Sequence, residues 1–191
     1  MIDNLDDAIA QVEFEITKRK VQDSYLEYVV ATNKDQKYVA SKFHTFLCNS
    51  IQEFMEKDDN PAFDILLLSV PPQFGKSTTV TETLPSWYLG KNPDKKVIIC
   101  GYNEDFAIRF GRRNKEKIEE YASKFFPDCK LADSPCSNVE FETTKKGRCI
   151  SRGIMSGLTG NTADLFIVDD PIKNRQEADS ETTRKAIWNE Y

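Results

Sequence analysis

The sequence is poor in the residues that build metal cages and disulfide frameworks. Its only histidine is His44. Its five cysteines, Cys48, Cys100, Cys129, Cys136 and Cys149, show no C-x-x-C spacing. This argues against a zinc site and for reduced, mostly buried thiols in a cytosolic protein. Long apolar runs are also missing. None approaches the ~20 residues of a membrane-spanning helix, and the acidic N-terminus has no secretory apolar segment. A basic excess is missing too. Lys and Arg number 26 against 31 Asp and Glu, a formal charge of −5 and a pI of about 5.1. A dedicated nucleic-acid clamp is usually basic overall, so any DNA contact must be local or made outside this chain. With 39% hydrophobic and 30% charged residues, the 191 residues suit a soluble globular protein. They make one domain, or one plus a small appendage, and chains of this size bury about 70% of their unfolded surface.

What is present is punctuated by short apolar runs. Residues 1 to 30 read as helix, with Leu5, Ile9, Val12 and Ile16 at helical spacing and Tyr25, Tyr28 and Val29 continuing the face. The basic patch Lys18-Arg19-Lys20 between them reads as a solvated face. A second helix is predicted from about Val39 to Lys57, with Phe43, Phe46, Leu47, Ile51 and Phe54 on one side. His44 falls in it and reads as a structural histidine, with an adenine-side contact as the other reading. Asp58-Asp59-Asn60-Pro61 should end the helix.

Ile65-Leu66-Leu67-Leu68 is a continuous apolar run, which suits a parallel strand buried on both faces. Val70-Pro71-Pro72-Gln73-Phe74-Gly75-Lys76-Ser77-Thr78 follows, then a helix to about Leu89 that Pro85 can kink or shorten. Strand, loop, helix is the order of the phosphate-binding loop G-x-x-x-x-G-K-[ST]. Gly75, Lys76 and Ser77 fill its last three fixed positions, while Val70 stands where the first glycine belongs. Residues Pro72 to Thr78 would cradle anionic oxygens with their N–H groups. Lys76 would reach the β/γ-phosphates, and the Ser77 hydroxyl would bind Mg²⁺. The bland alternative is a proline-rich strand end with a Gly-Lys-Ser turn.

Val97-Ile98-Ile99-Cys100 predicts the next buried strand, and Asn103 caps a helix from about Glu104 to Ser123. That helix carries Arg109, Arg112, Arg113, Lys115 and Lys117, partly offset by Glu116, Glu119 and Glu120. Contact with DNA phosphates, a neighbouring subunit or a nucleotide is open, and a solvated face is the plainer reading for most of the five. Residues 124 to 138 read as irregular. Val139–Thr143 and Arg148–Arg152 read as a hairpin with one wet face, turning at Lys145-Lys146-Gly147. Gly153 to Asn161 is a glycine-containing loop, either ligand-approaching or a plain connector. Leu165-Phe166-Ile167-Val168 predicts a further buried strand with Asp169-Asp170 at its C-terminal end, where ligands bind in open α/β sheets. Asp169 would hold Mg²⁺, and Asp170 would orient or deprotonate the attacking water. A solvated acidic turn is the alternative. Joined, the two anchors read as a nucleotide hydrolase. A last helix is predicted from about Ser180 to Tyr191, capped by Asp179 or Ser180.

From about residue 39 to the end, the sequence resembles the large subunit of the tailed-phage terminase. The matching stretches are Val70 to Ser77, Pro85 to Gly90, Ser156 to Asp164 and Val168 to Asn174, with Glu177 to Ser180 and Trp188 to Tyr191. The Pro71-Pro72 pair and Asp169-Asp170-Pro171-Ile172-Lys173 are more specific than Gly-Lys-Ser. The resemblance implies an α/β P-loop NTPase of the additional-strand class: a mainly parallel sheet flanked by helices, with an inserted β-hairpin. It implies an ATPase domain over 39–191, which leaves 1–38 as the N-terminal helical segment read from its own periodicity. It implies Mg²⁺-dependent ATP hydrolysis that drives double-stranded DNA into procapsids in the cytoplasm of the infected host. Portal protein, small terminase subunit and a homo-oligomeric ring come with it as partners, and no membrane. Gln73 stands where many terminases carry a basic residue, and Asp170 where many related ATPases carry Glu. Many relatives have Arg at the position of Asn161. Arg152 is the nearest upstream candidate for an arginine finger, with Arg109, Arg112 and Arg113 as further options. A further strand and a nuclease domain are expected after Tyr191, so the chain reads as an N-terminal fragment, expected to be monomeric alone. Two rivals are a helicase-like nucleic-acid-dependent ATPase and a nucleotide-binding fragment without turnover.

Overall fold

The helical pattern at the start of the chain becomes two helices in the computed structural model, which describes residues 3–34, 38–57, 63–156 and 160–189. Helix α1 runs Asp3–Asp23 and α2 Tyr25–Thr32. Ser24 separates them, and its hydroxyl accepts the Glu27 N–H at 3.3 Å as an N-cap. Helix α3, Lys42–Met55, begins at Ser41. Two compact units result, Met1–Thr79 and Val80–Tyr191. The core of the first is Val21, Tyr25, Tyr28 and Val29 with Leu47, Cys48 and Ile51. The stripe Leu5, Ile9, Val12, Ile16 is 48% to 63% exposed, and Phe46 is 70% exposed. Periodicity fixes the helix, but burial needs a facing element. The expected turn at Asp58–Pro61, the middle of the glycine loop (Gly157–Thr159) and the last two residues lie outside the described residues.

The largest correction concerns Ile65–Leu68. Residues 63–70 form no regular secondary structure, and Ile65 and Leu67 are 75% and 89% exposed. A doubly buried strand exists only if neighbouring strands take its N–H and C=O groups. The sheet of the described residues does not include this run.

That sheet belongs to the second unit. It has five strands in the order β2-β3-β4-β1-β5. They are β1 Lys96–Gly101, β2 Leu131–Cys136, β3 Glu140–Thr143, β4 Arg148–Gly153 and β5 Leu165–Val168. Strand β1 pairs in parallel with β4 and β5, while β2–β3 and β3–β4 are antiparallel. The sheet is therefore mixed, not mainly parallel. The hairpin is not an insertion either. Cys149, Ile150 and Ser151 are buried in succession, because β4 lies between β3 and β1 inside the main sheet. Strand β2 falls where the sequence suggested irregular chain. It contains Pro135, which an edge strand tolerates because it has an unpaired side.

The helices follow their caps. Helix α4 is one turn, Lys76–Thr79, and α5 spans Leu84–Lys91 with Pro85 in its first turn. The expected long helix is thus divided at residues 80–83. Helix α6, Glu104–Lys117, starts at Asn103, whose Oδ1 accepts the Phe106 N–H at 2.8 Å. It continues through a π-helical turn, Ile118–Ala122, into α7, Ser123–Phe125. Helices α8, Arg175–Asp179, and α9, Glu181–Asn189, follow β5. One face of the sheet holds Ile98, Cys100, Ile150 and Ile154, with Val168 and Ile187 packed on it. Helix α6 presses close to the sheet at Gly111. A Cβ there would lie 2.1 Å from the Asn138 carbonyl oxygen and 2.7 Å from Ser151 Oγ. Gly111→Ala should therefore destabilise the second unit by about 1–3 kcal/mol, read as a lower urea midpoint at unchanged slope.

Candidate functional site

The phosphate-loop candidate lies in the first unit. Gln73 and Gly75 both adopt left-handed backbone, with φ of 66° and 73°. Glycine takes that conformation freely, whereas glutamine takes it at a cost of about 1–2 kcal/mol. The Gly75 carbonyl then accepts the Thr79 N–H at 2.9 Å and opens α4. Lys76 and Ser77 are its first two residues, both half-buried. Loop followed by helix start therefore holds, although the preceding strand does not.

The loop is seated on the N-terminal helices, which the sequence did not foretell. The Tyr25 hydroxyl donates to the Thr79 carbonyl, and Tyr38 Oη lies 3.3 Å from Thr79 Oγ1. Burial pushes the Tyr25 phenol well above its ordinary pKa, which keeps it a donor. Phe74 meets Phe43 edge-on at 5.8 Å between ring centroids. His44 joins cap and loop. Its Nδ1 accepts the Ser41 N–H at 3.2 Å within a capping box, so Nε2 carries the proton of the neutral ring. Nε2 lies 3.0 Å from where a Gly75 Cβ would stand. The structural reading of His44 is thus the one with a visible partner.

The acidic candidate lies in the second unit. Strands β1, β4 and β5 run in parallel and end together near Gly101, Gly153 and Val168. The Asp169 N–H extends this ladder by one bond, donating to the Cys100 carbonyl at 2.9 Å. Its side chain is only 3% exposed. The Thr81 hydroxyl donates to Asp169 Oδ2 at 2.8 Å. Asp170 turns outward, exposed, with φ of 46°. Left-handed non-glycine residues cluster at functional sites. Here Gln73 and Asp170 are two of the three among the described residues, and the third, Lys146, is in the β3–β4 turn.

Behind Asp169 lies a buried polar network. Asn114 Nδ2 donates to the Thr81 and Phe110 carbonyls at 2.8 and 2.9 Å, and its Oδ1 accepts the Ser86 N–H at 3.0 Å. Lys117 Nζ donates to Thr83 Oγ1 at 2.9 Å. Burial lowers the Lys117 pKa to about 8, with Arg113 adding to the effect and Glu82 and Glu116 opposing it. The signal available in the sequence was positional. Asn114 and Lys117 continue the buried face of Ala107, Phe110 and Gly111 along α6, so they could not be solvated.

The remaining expected residues divide as follows. Arg109 stacks over Phe106 at 4.9 Å, and Arg112 and Arg113 pair with Glu116 at 3.8 and 3.5 Å. These are local contacts of a helix face. Arg152 is half-buried on β4, opposite Cys100. All five cysteines are free, and burial pushes Cys48, Cys100, Cys129 and Cys149 up to about 12. A small polar depression lined by Lys96, Arg148 and Thr162 lies at the opposite, N-terminal end of the parallel strands. It does not include the carboxylates.

No group of three or more His, Cys, Asp or Glu among the described residues could hold a metal. Among the described residues no helix is long and apolar enough to cross a membrane. Residues 67–191 match the family described as "Terminase large subunit, T4likevirus-type, N-terminal". No curated protein matches the chain.

The buried lysine gives a pH test. Between about pH 8 and the ordinary lysine value near 10.5, the unfolded chain binds the proton that the folded chain has lost, so this group makes stability rise with pH. Lys117→Met removes that dependence. The stability of the variant relative to the parent should fall by about 3 kcal/mol between pH 7 and pH 10, measured by urea unfolding at each pH.

Proposed function

The chain belongs to the T4likevirus-type terminase large-subunit family, and from that premise we propose that it is a P-loop ATPase unit of a DNA-packaging motor. The carrying observation is that one family match spans both a loop left-handed at Gln73 and Gly75, opening onto Lys76-Ser77, and a strand-end pair, Asp169-Asp170. In this reading the N–H groups of Pro72-to-Thr78 other than proline cradle the phosphates of ATP, and Lys76 neutralises the β/γ oxygens. Ser77 and Asp169 are the residues that would hold Mg²⁺, which would supply charge neutralisation on the phosphates. Asp170, exposed on its turn, orients the attacking water and accepts its proton. The water oxygen bonds to the γ-phosphorus, the bond from that phosphorus to the β–γ bridging oxygen breaks, and ADP and phosphate leave. Arg152 is the arginine-finger candidate, with Arg109, Arg112 and Arg113 as the others.

The motor reading extends to double-stranded DNA as the translocated substrate. Portal protein and small terminase subunit are the partners, in a ring docked on procapsids in the host cytoplasm. The exposure of Ile65 and Leu67 favours a second reading for the chain by itself: nucleotide binding with slow turnover, because the loop lacks a flanking strand in the sheet. Lys76→Ala should weaken ATP binding at least about tenfold, as loss of a charge-assisted phosphate contact does. Asp170→Asn should keep binding and lower Mg²⁺-dependent phosphate release about 10²-fold or more. Calorimetry and a phosphate-release assay read the two. Lys76→Ala binding ATP like the parent would overturn the proposal.

A further inference from the structure

Thr81 and Asn114 belong to no part of the phosphate loop or of the carboxylate pair. Thr81 lies in the segment that joins α4 to α5, and it is 1% exposed. Its hydroxyl donates to Asp169 Oδ2 across 88 positions of sequence. Its carbonyl accepts from Asn114, which is fully buried. The orientation of the Asn114 amide is unambiguous. The group facing the Thr81 and Phe110 carbonyls must be the donor NH₂, and the oxygen facing the Ser86 N–H must be the acceptor. All its side-chain atoms are thus committed to α6, α5 and the 80–83 turn.

We infer that Thr81 is a positioning residue for Asp169, held in place by Asn114. A carboxylate that serves a metal must present a chosen oxygen in a chosen direction, and a bonded neighbour is what fixes both. The Thr81 hydroxyl holds Oδ2, and with it the plane and direction of the whole carboxylate. The same short segment follows directly on Lys76 and Ser77. The ligand class is a divalent cation with a nucleoside triphosphate, and the inference rests on the reading of the site given above.

The test compares ATP binding by the whole chain in a Mg²⁺ series and in EDTA, for the parent, Thr81→Val and Thr81→Ser. Thr81→Val keeps the volume and removes the hydroxyl. It should raise the Mg²⁺ concentration for half-maximal ATP binding about 10- to 100-fold and leave the EDTA affinity unchanged. Thr81→Ser restores the hydroxyl and should restore the Mg²⁺ dependence. A purely structural threonine would instead lower both affinities together. Equal losses with and without Mg²⁺, an unchanged Mg²⁺ series, or a serine variant as defective as valine would each overturn the inference. Should Thr81→Val not fold, Thr81→Cys, with a weaker S–H donor, carries the same expectation at smaller amplitude, and an unaltered series for it is equally decisive against the inference. A parent chain that binds no ATP with Mg²⁺ overturns the site reading itself. A parent that binds, with Thr81→Val indistinguishable from it, overturns the inference alone.

Discussion

Strand β1 is the constraint on which the second unit depends. Residues 97 to 101 are all buried, so each N–H and C=O must be bonded within the sheet, and each side chain must be apolar or very small. Parallel partners on both sides meet the first demand, and Val-Ile-Ile-Cys-Gly meets the second. Parallel pairing then has a geometric effect. It brings the C-terminal ends of β1, β4 and β5 to one edge, and chain leaving that edge is where polar residues become affordable. Asp169 is the first such residue after β5. Its burial is tolerable because a hydroxyl and the ladder meet its polar atoms before any ligand does.

The elements that proved legible were those whose own residues carry the whole signal. Val97–Cys100 and Leu165–Val168 read as buried strands from unbroken apolar runs, and Asn103 marks the start of α6; both runs are strands, but only the first is buried, since β5 is an edge strand with Phe166 44% exposed. Ile65–Leu68 carries as strong a run and is no strand in the structure. Strand formation is a property of neighbours as much as of propensity, and a run of four apolar residues says nothing about who lies beside it. The opposite error concerns Leu131–Cys136, where Pro135 masked a strand that needs hydrogen bonds on one side only. The Glu140 and Arg148 hairpin was seen, but not that its second strand is structural and not peripheral. That fact lies in the register between β4 and β1, which no local pattern encodes.

The candidate site divides in the same way. Gly75, Lys76, Ser77, Asp169 and Asp170 stood out because their chemistry sits in contiguous motifs. Thr81, Asn114, Lys117 and the tyrosine platform under Thr79 did not, because each acts through a partner far off in sequence. The left-handed backbone at Gln73 and Asp170 was equally hidden. Glutamine there runs against steric preference, and only the fold shows that the loop needs the conformation more than the residue opposes it.

The two margins of the sheet are not alike. At one, β2 carries Asp133, Pro135 and an irregular register against β3, all features that discourage further pairing. At the other, β5 is Leu165-Phe166-Ile167-Val168, without charge, proline or bulge, and Phe166 is 44% exposed. Among the described residues, one margin of the sheet thus carries features that resist pairing and the other carries none. Phe166, a large apolar side chain, stands at that margin where β2 has Asp133 and Pro135 at the other.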